Sequence, residues 1–94
     1  MIAKIEVEKT DHDDRYEFQV TVREGGGETH HHVTLQKADY ERLAGGRASP
    51  EALVTESFRF LLERERKESI LRSFDLTVIG RYFPEYDREI VKRL

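Results

Sequence analysis

The sequence predicts an α+β domain, a three-stranded antiparallel β-meander followed by several α-helices packed on one of its faces. Three observations carry this. Apolar residues recur with period two up to residue 36, they recur with the helical period after it, and clusters of Gly, Asp and Ser-Pro punctuate the change. The whole of 1–94 reads as a single domain, with 1–36 as the meander and 37–94 as the helical part.

In the first strand Ala3, Ile5 and Val7 share one side, with Lys4, Glu6 and Glu8 on the other. Thr10 to Asp14 is a polar turn cluster, and Tyr16, Phe18, Val20 and Val22 then alternate with Glu17, Gln19, Thr21 and Arg23. Gly25-Gly26-Gly27 breaks the pattern before a third run that sets His31, Val33 and Leu35 opposite His30, His32 and Thr34. Directly paired residues share a face, so a two-residue Gly25-Gly26 turn pairs Val20 with His31 and Phe18 with Val33. The same parity sets Val7 against Phe18 or Tyr16, and Ile5 against Val20 or Phe18.

Lys37 to Ala44 reads as a short helix, stopped by Gly45-Gly46. Ser49-Pro50-Glu51 opens the main helix: the hydroxyl caps, Pro occupies the first helical position, and Glu complements the dipole. Its apolar residues Leu53, Val54, Phe58, Phe60, Leu61 and Leu62 cover about half the circumference, which calls for two packing partners. Ser69 and Asp75 read as N-caps of short helices, and Pro84 as the opening of a last one that carries Tyr86, Ile90 and Leu94 on one stripe.

Composition narrows the function classes. The 94 residues are 37% hydrophobic and 37% charged, against about 45–50% and about 25% in ordinary domains. Such a lean core raises the expectation of burial against a second copy or a protein partner. A net charge of −3 argues against a basic, nucleic-acid-binding chain, and the absence of Cys excludes thiolate chemistry and disulfides. No apolar run approaches a membrane span and no signal-peptide pattern opens the chain, so the expected setting is the bacterial cytoplasm.

Ser57-Phe58-Arg59-Phe60-Leu61-Leu62-Glu63-Arg64-Glu65, then Ser69-Ile70-Leu71-Arg72-Ser73-Phe74, then Tyr82-Phe83-Pro84-Glu85-Tyr86 resemble a group of small, uncharacterised bacterial proteins. Their common pattern reads S-F-x-F-L-L-E-R-E-P, S-I-L, F-D-L, I and Y-F-P. The front end, with V-T-V, a Gly-rich turn, V-T-L and A-D-Y-E-R-L, resembles the same group. The resemblance spans most of the chain and implies one intact domain; no activity is assigned to that group. Arg66 stands where the group usually has Pro, which allows the main helix to continue past Glu65.

Among chemistry-bearing residues, His30 and His32 share one sheet face and are weak metal candidates, without a third ligand placed beside them. Asp11, His12, Asp13 and Asp14 lack the spacing of a calcium loop, and the triple Gly precedes a strand instead of a helix N-terminus. The serines carry no nucleophile-elbow motif. No catalytic residue and no cofactor is expected. Residues 50–94 hold nine basic and nine acidic side chains, a neutral mixture typical of a solvated face.

The resulting expectation is a non-enzymatic protein-interaction domain that self-associates as a homodimer. Its interface would draw on Phe58, Phe60, Leu61, Tyr82 and Phe83, with one of the two main-helix Phe residues in the core and the other at the contact. The alternative, from another class, is a small antitoxin-like or regulatory protein that contacts nucleic acid or a toxin partner.

Overall fold

In a computed structural model, which describes residues 3–94, strands β1 (Lys4–Asp11), β2 (Arg15–Glu24) and β3 (Gly27–Gln36) form the expected antiparallel meander. A fourth strand, β4 (Ser73–Asp75), adds to its edge in the order β1-β2-β3-β4 and runs parallel to β3. The sheet is therefore mixed and four-stranded, not a three-stranded meander alone. Helices α1 (Lys37–Leu43), α2 (Pro50–Leu62), α3 (Ile79–Tyr82) and α4 (Tyr86–Arg93) complete the fold, with 3-10 turns at Lys67–Ser69 and Leu76–Val78.

The β2–β3 register follows from parity: Val20 faces His31 and Phe18 faces Val33, about a turn in which Gly25 and Gly26 have φ of 63° and 81°. That left-handed conformation matches the strand twist and is cheap only without a Cβ. The β1–β2 register differs from expectation by two residues, with Val7 opposite Val20 and Ile5 opposite Val22. Thr10 and Asp11 belong to the strand, and the chain reverses at Asp13-Asp14, where the His12 amide donates to the Arg15 carbonyl at 2.9 Å. Lys37 anchors this reversal: its ammonium lies 2.7 Å from the Asp11 carboxylate and its amide donates to the Asp14 carbonyl. A shift of two preserves the faces.

Ser49 Oγ accepts the Ala52 amide at 3.1 Å and opens α2 as the sequence indicates. The helix nevertheless ends at Leu62, short of any continuation past Glu65. Arg64 folds back, with its guanidinium 3.6 Å from the Phe60 ring centroid and donating to the Phe60 carbonyl, so it satisfies a group the helix end leaves open. Arg66 is extended, at a φ of −75° that a proline would also adopt.

Ser69 does not cap a helix. It closes a 3-10 turn, after which the backbone stays extended and enters β4 through a 2.7 Å bond from the His32 amide to the Arg72 carbonyl. Asp75 does cap, accepting the Thr77 amide at 3.1 Å while also receiving the Thr34 hydroxyl across the sheet at 2.9 Å.

Both partners that α2 requires lie within the same chain. Phe58 packs between His31 and Phe74 on the sheet side, with centroids at 5.3 and 6.0 Å. Phe60 meets Phe83 and Tyr86 on the other side, at 5.9 and 5.3 Å. The buried Ser57 hydroxyl donates to the Leu53 carbonyl at 2.7 Å, so the Tyr86 hydroxyl must donate to Ser57 Oγ at 2.6 Å. Burial pushes the Tyr86 phenol well above its ordinary range, which keeps that proton in place.

Ser57→Ala leaves the Tyr86 O–H without an acceptor in the core and is expected to cost about 1–3 kcal/mol. Tyr86→Phe should cost less, because Ser57 still donates to Leu53. Urea titrations of both single variants and the double variant measure the order, and the double should cost less than the sum.

Candidate functional site

The sequence-predicted interface residues separate into two groups. Phe58 and Phe60 are both fully buried in the protomer's own core, so neither presents a surface to a partner. This revises the expectation of one core and one interface Phe: the sheet covers one side of α2, and Phe83 with α4 covers the other. Leu61, Phe83 and Tyr82 do come together, as the floor, wall and rim of one open apolar cleft.

The cleft is about 200 Å³ in volume and lies between the C-terminal end of α2, the extended segment leading into β4, and α3. The local sequence builds it directly. The 3-10 turn ends at Ser69, which leaves Leu71 at the surface, and Pro84 terminates α3 so that Tyr82 projects from its last turn. Leu71 is 47% exposed and Tyr82 67%; these are the large hydrophobic residues that the described chain exposes, and both line this cleft. The half-buried Glu65 is the acidic member of the lining, and desolvation raises its carboxyl above the usual range. Leu71 and Glu65 carry no sequence signal of their role, because Leu71 follows Ser69, read as the cap of a short helix, and Glu65 belongs to the mixed charges of a solvated face.

On the opposite face of the sheet, His30 and His32 share one side as alternation requires, but they turn to different carboxylates. His30 Nε2 lies 2.8 Å from Glu28, whereas His32 Nε2 and His12 Nε2 each lie 3.5 Å from Glu17. Desolvation pushes the Glu17 carboxyl up, yet the contacts with His32, His12 and Arg15 outweigh it and hold the group below its ordinary value. Among the described residues, no group of three or more His, Asp or Glu is placed to hold a metal ion. Among the described residues, no helix is long and apolar enough to cross a membrane.

His31 is the histidine that sequence reasoning undervalues. Expected to pack partly inward, it is 2% exposed and bonded at both nitrogens. Nδ1 lies 2.7 Å from the Leu71 carbonyl, which can only accept, so Nδ1 carries the proton and Nε2 accepts from the Thr29 hydroxyl at 2.9 Å. The ring thus ties β3 to the cleft wall in its neutral form. Comparison with models of protein families, with curated proteins and with solved structures finds no match.

Burial lowers the His31 pKa from 6.5, with the nearby Arg72 and His30 adding to the effect against the opposing Leu71 hydrogen bond. The unfolded chain therefore binds the proton more readily than the folded one, and the stability due to neutral His31 is present above pH 6.5 and falls away as pH drops. Urea midpoints between pH 8 and pH 5 should decline more steeply for the wild type than for His31→Gln. Equal slopes would show that other groups carry the acid sensitivity.

Proposed function

We propose that this chain is a small bacterial, cytoplasmic, non-enzymatic interaction domain that self-associates, as a homodimer, through its apolar cleft. One observation carries the reading: the exposed large hydrophobic side chains, Leu71 and Tyr82, converge on a single cleft instead of scattering. Isolated exposed apolar residues need no explanation, but a contiguous apolar patch with a polar rim is the usual form of a protein-contact site. Tyr, one of the residue types most enriched at contact centres, lines it as Tyr82. The other polar features find structural uses: Asp75 caps and crosslinks, Ser57 serves Tyr86, and the outward histidines pair with carboxylates.

A second reading has one observation in its favour. Arg66, Arg72, Arg81 and Arg88 are exposed and form no ion pair with the described residues, unlike Arg59, Arg64 and Arg93. Free guanidinium groups suit a phosphate backbone, as an antitoxin-like or regulatory protein would need. The two readings diverge with salt, since counterion release makes nucleic-acid binding fall steeply as salt rises.

Sedimentation velocity over a concentration series should show a reversible dimer at micromolar concentration, and Tyr82→Glu should give a folded monomer. Phe58→Glu and Phe60→Glu should instead unfold the chain, since each buries a charge in the core. A wild type that stays monomeric at high concentration would falsify the reading.

A further inference from the structure

We infer that the cleft between α2 and α3 docks a second copy of this chain about a two-fold axis, with Tyr82 of each protomer entering the other's cleft and Arg81 meeting Glu65. The inference rests on the self-association reading and specifies its contacts. An isologous interface demands that one patch hold both halves of its own complement. This patch does. The cleft offers an apolar hollow with a carboxylate in its wall, and its rim offers an exposed aromatic ring with an exposed guanidinium beside it in sequence.

The two charges are available for this pairing. Glu65 has no cation partner among the described residues, although the neighbouring Glu63 binds Arg93 at 2.6 Å and Glu68 binds Lys67 at 2.7 Å. Arg81 likewise has no acidic partner, whereas Arg42 reaches Asp87 at 2.8 Å. Successive residues of a helix diverge by roughly 100°, so a Tyr82 ring inserted in a cleft leaves Arg81 to one side, at the rim. There it would neutralise a carboxylate that burial already disfavours in its charged form.

The cleft's lining suits an aromatic occupant, since Leu61, Ile70, Phe74 and Phe83 form its floor and walls. Its roughly 200 Å³ corresponds to several water molecules at ~30 Å³ each, released from an apolar wall on docking. A standard contact takes about 800 Å² per partner, a modest share of the 5541 Å² this chain exposes. The cleft would supply the apolar centre of such a contact and the arginine-bearing surface around it the polar rim. An acidic peptide would suit the arginines but would set its own charge against Glu65; a second copy brings the matching cation.

The test is a charge exchange on the full chain, read by sedimentation velocity for the wild type, Arg81→Glu, Glu65→Arg and the double variant. Each reversal should weaken dimerisation by about tenfold or more, because it sets like charges together. The double variant should recover most of that loss. Thermal melts confirm that each variant is folded, and Arg81→Gln and Glu65→Gln replace any reversal that is not, with each then expected to weaken association more modestly. A dimer indifferent to all these changes, or a double variant no better than the weaker single, overturns the assignment of this surface while leaving self-association intact. A wild type monomeric throughout overturns both.

Discussion

Helix α2 must be covered on both sides, and the rest of the molecule answers that demand. Apolar residues occupy about half its circumference, too wide for one neighbour. The sheet takes the side bearing Phe58, and α4 with the Phe83 turn takes the side bearing Phe60. The α4 cover would not form alone, since an eight-residue helix is marginal in water. Ser57 and Tyr86 make the assembly specific. Their bond satisfies two hydroxyls within the apolar contact and sets the position at which α4 meets α2.

Most of the fold was legible because its signals are local and repeat. Val20, Phe18 and their β3 partners could be assigned by parity, since a slip of one residue would expose the entire apolar set. Ser49-Pro50 and Gly45-Gly46 each encode a backbone conformation that few other residues favour, and the structure uses both. The β1–β2 register was not legible to the same degree. Thr10 and Asp11 are polar enough to read as turn, and the Lys37 ion pair that holds Asp11 in the ladder comes from an element 26 positions away in the chain. A shift of two residues alters no face, so the hydrophobic pattern cannot report it.

Strand β4 was missed for a related reason. Ser73-Phe74-Asp75 is too short to show a period, and its extended state depends on contacts that span the chain: the His32 amide on Arg72, Thr34 on Asp75, and Phe74 against Phe58. The same tertiary override exposes Leu71. Were 70–74 helical, Leu71 could turn inward with Ile70 and Phe74. With the helical turn ended at Ser69, Ile70 is buried while Leu71 is left at the surface. The cleft is thus a consequence of β4, and so the exposed Leu71 could not be read as part of the site while Leu61 and Tyr82 could.

That origin separates the roles of the aromatic residues. Phe58 and Phe60 are the larger hydrophobic signal in sequence, yet their burial is already complete within one chain. They account for stability. Tyr82 and Leu71 lie where the chain runs out of its own cover, between a short helix that Pro84 ends and a segment held extended by the sheet edge. His31 links the two regions, because its Nδ1 holds the Leu71 carbonyl while its ring packs on Phe58. A disturbance of the core at Phe58 would therefore reach the cleft wall through one imidazole, and the shape of the cleft depends on the same packing that keeps the chain folded.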